Sequence, residues 1–146
     1  MMFGEEPRRV VAISDRDPNF RTDRRTTVLM EYPSGQCTFT CATQLVPYQR
    51  MQIYGTKGRI ELEIPFNAPP DRPTRLLRDD GSSLVGAGVQ AEEFPVCDQY
   101  TIQGDLFSRA ILEDGPVAVP LEDALHNMRA IDAIVRSAES GRWEKP

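Results

Sequence analysis

Between Arg59 and Ile64 apolar and charged residues alternate without a break, Ile60, Leu62 and Ile64 against Arg59, Glu61 and Glu63. A repeat of two belongs to a strand with one buried face and excludes a helix, whose repeat is about 3.6. Just upstream, Met51 and Ile53 alternate with Gln52 and Tyr54, and Gly55-Thr56-Lys57-Gly58 joins the two runs. The segment predicts an antiparallel hairpin, and so a sheet built by chain reversal rather than by crossover helices.

The same period governs residues 26–42. Val28, Met30 and Tyr32 share one face, Pro33-Ser34-Gly35 supplies turn chemistry, and Cys37, Phe39 and Cys41 resume the alternation. Thr27, Leu29 and Glu31, then Thr38, Thr40 and Ala42, form the opposite face, which is either wet or a landing surface for a partner. Val10 to Ile13 is a short apolar run, and Asp15 to Asp23 reads as a polar loop. Pro65 to Pro73 holds four prolines and predicts no regular structure. Thr74 to Arg78 reads as one more strand, at the sheet edge, and Ser82 to Glu93 as a glycine-rich loop. Within it, Gly86-Ala87-Gly88 lacks the third glycine and the following helix that a dinucleotide loop requires.

Helical spacing begins near Asp98. Ile102, Leu106, Phe107, Ala110 and Ile111 line one side of a helix from Asp98 to Asp114 that ends at Gly115 and Pro116. A second helix opens at Pro120, carries Glu122 and Asp123 in its first turn, and ends at Gly141. Its stripe of Leu121, Ala124, Leu125, Met128, Ile131, Val135 and Ala138 predicts a helix laid on the sheet through those side chains. The fold class read from these patterns is α+β. It is an open-faced, mainly antiparallel β-sheet of about five or six strands with two long helices packed on one face.

Charge narrows the function. In 146 residues, 17 basic and 22 acidic side chains leave 17 − 22 = −5, a balance that disfavours nucleic-acid partners. No apolar run approaches the roughly 18 residues of a membrane span, and the first residues lack signal-peptide order, so the expectation is a soluble, cytoplasmic chain. Cys37, Cys41 and Cys97 form no metal or disulfide pattern, since Cys37 and Cys41 share a strand face about 13 Å apart. His126 lies off the apolar stripe and reads as peripheral, and Asp79-Asp80, Glu92-Glu93 and Glu122-Asp123 read as solvated turn or helix-start acids. Tyr100 and Gln103, near the start of the first helix, are the candidates for facing a substrate. No catalytic, cofactor-binding or metal-binding residue is assigned.

Three segments together resemble one family. Gln52-Ile53-Tyr54-Gly55-Thr56-Lys57-Gly58-Arg59-Ile60-Glu61-Leu62 is similar to a strand-turn-strand element of the C-terminal domain of the Gfo/Idh/MocA oxidoreductases. Tyr100-x-x-Gln103-x-x-x-Phe107 and the run from Leu121 through Ile131-Asp132-Ala133-Ile134 to Gly141 resemble that domain's two closing helices. Pro65-Phe66-Asn67-Ala68-Pro69-Pro70 resembles the xylose and dihydrodiol dehydrogenase branch. The family normally has Glu where Gln103 stands.

The resemblance implies that residues 1–146 are a single C-terminal domain, with an N-terminal Rossmann domain absent from this chain. Residues 3–10 resemble the exit from a helix carrying the family's Asp/His pair, so that pair and the lysine of its Glu-Lys-Pro motif are expected outside these residues. Glu144-Lys145-Pro146 spells the tripeptide after the last helix, where it is coincidental. The chain alone is expected to bind no cofactor, with NAD or NADP serving the full-length enzyme and a sugar or polyol as its substrate. One reading is a substrate-binding and oligomerisation domain of such an enzyme, not catalytic on its own. The alternatives are a stand-alone dimeric binding or scaffolding module and a small-molecule carrier. A homo-oligomer is expected through the open face of Thr27, Leu29, Thr38, Thr40, Ala42 and Tyr54.

Overall fold

The structure, a computed structural model, describes residues 3–146. In chain order it contains β1 (Arg9–Arg16), β2 (Asp23–Tyr32), β3 (Gly35–Ala42), β4 (Met51–Gly55), β5 (Gly58–Leu62), β6 (Thr74–Asp79), β7 (Val89–Phe94), α1 (Gln99–Leu112) and α2 (Leu121–Ser140). The expected α+β class, with antiparallel pairing throughout and two long helices, is borne out. The seven strands hydrogen-bond as two groups, β1-β2-β3 and β4-β5-β6-β7. They belong to two compact units, Met1–Val46 with Val119–Pro146, and Pro47–Ala118.

In the first unit the core is Val10 and Ala12 of β1, Val28 and Met30 of β2, and Ala133 of α2. Val10 pairs with Met30 and Ala12 with Val28, so the alternation places all four on the face that meets the helix. The loop expectation for 15–23 was too wide. β1 runs on through Asp15 and Arg16, and only residues 17–22 turn. Asp17 closes that turn by accepting hydrogen bonds from the Asn19 N–H (2.8 Å), the Phe20 N–H (2.9 Å) and Gln44 Nε2 (2.6 Å). These donors hold its carboxyl below the usual range, the Phe20 N–H foremost.

α2 packs against β1, but of the expected stripe only Ala138 takes part. Ala133 and Ser137 are buried and Ala130, Ile134 and Ala138 half-buried, whereas Met128 of the predicted stripe is 52% exposed and Leu121, Leu125, Ile131 and Val135 are exposed too. Val135 and Ser137 lie about 200° apart around a helix at 100° per residue. Small side chains let the helix backbone approach the strand closely, and the larger stripe turns outward. Gly141 ends α2 in the left-handed conformation (φ 67°), its N–H donating to Ser137 O at 2.8 Å, as the sequence implies.

In the second unit the 51–62 hairpin forms in the expected register, Gln52 opposite Glu61 and Ile53 opposite Ile60. Two expectations are corrected beyond it. β6 is not an edge, because Val89–Phe94, read as loop, pairs along its far side as β7. Every β7 residue is exposed, so the strand rests on backbone pairing and carries no apolar pattern for the sequence to show. Gly86-Ala87-Gly88 leads into that strand, with the Val89 N–H donating to Gly86 O at 3.2 Å.

α1 begins where Asp98 caps it, accepting from the Tyr100 N–H at 3.0 Å and Thr101 Oγ1 at 2.8 Å. At its far end Asp114 (φ 48°), not Gly115, takes the left-handed conformation. The packing role expected of Phe107 is not observed within this chain. Phe107 is 59% exposed, and α1 has no buried residue.

Candidate functional site

The face of the first sheet turned away from α2 assembles five of the residues singled out in the sequence. Pairing lines up Ile13, Thr27 and Thr40 in one row, Val11, Leu29 and Thr38 in the next, and Arg25 with Ala42 at the margin. Thr27 and Thr40 hydroxyls meet at 3.0 Å, which fixes their rotamers. The apolar centre is framed by charge: the Arg9 guanidinium donates twice to Glu31 Oε2 (2.9 and 2.6 Å), and Arg25 lies 3.7 Å from Asp15. The face is thus an apolar and hydroxyl-bearing patch inside a charged rim.

Two members of this patch were missed in the sequence. Val11 and Ile13 sit in an unbroken apolar run, which hides that they alternate with the buried Val10 and Ala12. Ile13 is 79% exposed, the most informative member of the patch. Its pairing partner Thr27 was the available signal. Tyr54 belongs to the other unit, on β4, where its hydroxyl donates to Gln52 Oε1 at 2.8 Å.

Around Gln52 the second sheet carries an ionic lattice. Arg50 Nη1 stands 3.3 Å from both Glu61 and Glu63, and Arg75 forks onto Glu63 at 2.7 and 2.9 Å. Arg50 Nη1 is buried and, although near both carboxylates, makes no well-directed hydrogen bond. Arg75 first, then Arg50, holds the Glu63 carboxyl below its usual range. Such a lattice commits Glu61 and Glu63 to their own arginines.

Tyr100 and Gln103 are exposed at the start of α1, and no hydrogen bond ties either side chain to another group among the described residues. His126 Nδ1 lies 3.1 Å from Glu6 Oε1, an exposed pair in which the helix holds the incoming N-terminal segment. Phe3 stacks on Tyr32 at 4.2 Å and the Ser34 N–H donates to Glu5 at 2.8 Å, which fix the same segment to the β2-β3 turn. Glu144 pairs with Val10 through both backbone bonds, 2.8 and 2.9 Å, so the terminal tripeptide closes a sheet edge. Among the described residues no three His, Cys, Asp or Glu gather as a metal set, and no helix is long and apolar enough to cross a membrane. Gly86-Ala87-Gly88 does not form a dinucleotide loop. Such a loop joins a strand to a helix in a parallel crossover, whereas the strand pairings among the described residues are antiparallel and this glycine pair leads into a strand.

Fold and surface define an antiparallel α+β domain with one open, partly apolar sheet face. Comparison with known proteins gives that class its family. A family description of the C-terminal alpha/beta domain of an oxidoreductase family, Gfo/Idh/MocA, matches residues 1–145, and the chain belongs to that family. An uncharacterized oxidoreductase of Rhizobium meliloti is 41% identical over 145 residues, covering 99% of this chain and 43% of that protein. The NADP(+)-dependent D-xylose 1-dehydrogenase 2 of Haloferax volcanii is 30% identical over 143 residues, covering 96% of this chain and 42% of its own. Among solved structures, the aldose-aldose oxidoreductase of Caulobacter crescentus complexed with glycerol superposes with a TM-score of 0.79 at 24% identity, over 98% of this chain and 42% of that one. The chain thus spans less than half the length of the relatives it matches.

Proposed function

We propose that these residues are the substrate-side and subunit-contact half of a cytoplasmic, NAD(P)-dependent sugar or polyol oxidoreductase, and that they perform no hydride transfer by themselves. The observation that carries this reading is the coverage, nearly all of this chain against 42–43% of the two curated relatives, one of which is a xylose dehydrogenase. In this reading nicotinamide binding and proton transfer belong to the N-terminal domain of the full-length enzyme, and residues 1–146 supply the C-terminal domain. Tyr100 and Gln103, whose phenol and amide are uncommitted in the first two turns of α1, are assigned to the substrate side.

The open face of Thr27, Leu29, Thr38, Thr40 and Ala42, widened by Val11 and Ile13, is assigned to contact with a second copy. Sheets with one covered face either solvate or pair the other, and an exposed Ile13 beside Leu29 favours pairing. Tyr54, on the second sheet, joins that interface only if the assembly extends over both units.

Sedimentation of the purified chain at micromolar concentration tests the assignment. The expected result is a dimer that Leu29→Arg converts to a monomer with an unchanged far-ultraviolet spectrum. A strictly monomeric wild-type chain overturns the contact role. A dimer that binds neither sugar nor cofactor in the full-length context favours the stand-alone scaffold instead.

A further inference from the structure

At one end of the second sheet the register lines up Ile53, Ile60, Arg78 and Gln90 across all four strands, a row about 14 Å long at ~4.8 Å per strand. The row floors a concavity of about 510 Å³, rimmed by Thr56 and Lys57 of the hairpin turn and by Asp80 of the β6-β7 connection. None of these residues belongs to the open face or to the ionic lattice described above.

The charges around it are unevenly committed. Asp79 accepts from Arg59 Nε at 2.9 Å and from the Gly81 N–H at 3.0 Å. Asp80 accepts from the Ser82 N–H at 2.9 Å, and the Ser82 hydroxyl holds its carboxyl below the usual range. Both carboxylates therefore have their own donors. Lys57 and Arg78 have no ion-pair partner among the described residues, so two free cations border one concavity in a chain whose net charge is −5. The rim is also tightly built. A side chain at Gly88 would collide with the Asp80 carboxylate, and one at Gly58 with the Asp79 carbonyl.

We propose that this concavity binds a small oxyanion of the phosphate class, as the free ion or as the ester of a short polyol. The Arg78 fork suits two phosphate oxygens and Lys57 adds a point charge. Gln90 and Thr56 offer an amide and a hydroxyl to the remaining oxygens, and Ile53 with Ile60 gives an ester's carbon skeleton an apolar floor. The site stands on charge and shape alone and does not depend on the oxidoreductase reading.

The test is titration of the purified chain at low ionic strength with inorganic phosphate, ribose 5-phosphate and, as a neutral control, ribose, read by amide chemical shifts. The expected result is saturable change at Lys57, Arg78 and Gln90 with one or both phosphates, and none with ribose. Saturation by the ion alone assigns the site to free phosphate, and tighter saturation by the ester assigns it to a polyol phosphate. Lys57→Gln and Arg78→Gln should each weaken binding about tenfold, Arg78→Lys less, and Arg129→Gln, which is not in the lining, not at all. No shift change with either phosphate up to ~20 mM, a dissociation constant too weak for a built site, overturns the proposal. Unaltered binding in a folded Lys57→Gln, Arg78→Gln double variant does so as well.

Discussion

The hydroxyl of Ser137 in α2 accepts a hydrogen bond from the Ala12 N–H of β1 at 3.0 Å, and donates onward to Arg142 O at 2.6 Å. One fully buried side chain thus ties the helix to the outer edge of β1 and to the segment leaving the helix. Beside it, the Val10 N–H on the same edge is taken by Glu144 O at 2.8 Å. β1 is an edge strand whose donors are closed by the chain's own last turn, which protects it from pairing with foreign strands.

Ser137→Ala leaves the Ala12 N–H buried without a partner and should destabilise the chain by about 1–3 kcal/mol. Chemical denaturation measures it, and Ser137→Thr, which keeps the hydroxyl, should recover part of the loss. A neutral Ser137→Ala would mean that the bond contributes nothing to holding α2.

The two faces of α2 give a paired test. Met30, beneath the helix and 8% exposed, should lose about 2–5 kcal/mol on Met30→Ala. Met128, on the outward stripe, should change by less than about 0.5 kcal/mol on Met128→Ala in the same isolated chain. Equal losses at both positions would put the large stripe against the sheet after all.

Asp17 supplies a pH signature. Its folded carboxyl is held below the usual range by the Phe20 N–H, Gln44 and the Asn19 N–H, so its ionised form is favoured by folding. That stabilisation is present above the ordinary aspartate value of about 4 and is lost as pH falls through the lower folded value. Asp17→Asn should therefore lower the Tm at pH 7, and the gap to the wild-type chain should close below about pH 4. A gap that is constant from pH 7 to pH 3 contradicts the role of the charge.

Gly58, at φ 147°, faces the Asp79 carbonyl so closely that a methyl group would strike backbone. Gly58→Ala should cost about 1–3 kcal/mol, with strain confined to the second unit. Amide exchange should quicken in β5 and β6 while β1 and β2 keep their protection.

Legibility in the sequence followed the physics of each element. The 51–62 hairpin was plain because one face is apolar and the other charged at every step, and the α2 terminus because Gly141 alone satisfies a left-handed cap. β7 was invisible, since an edge strand with both faces exposed has no pattern to offer. The helix stripe misled for a subtler reason. Periodicity reveals that a helix has an apolar side, but close approach to a strand selects small residues, and Ala130, Ala133 and Ser137 won that place over Leu125 and Met128. On the open face the alternation exposed Thr27, Leu29, Thr38, Thr40 and Ala42, whereas Val11 and Ile13 became readable only through their pairing with β2.

That the redox chemistry lies outside residues 1–146 is tested most directly by titrating the isolated, folded chain with NADPH and NADH while following Trp143 fluorescence. We expect no saturable change up to ~1 mM of either nucleotide, weaker than about −4 kcal/mol of binding. One-to-one saturation in the micromolar range would contradict the account.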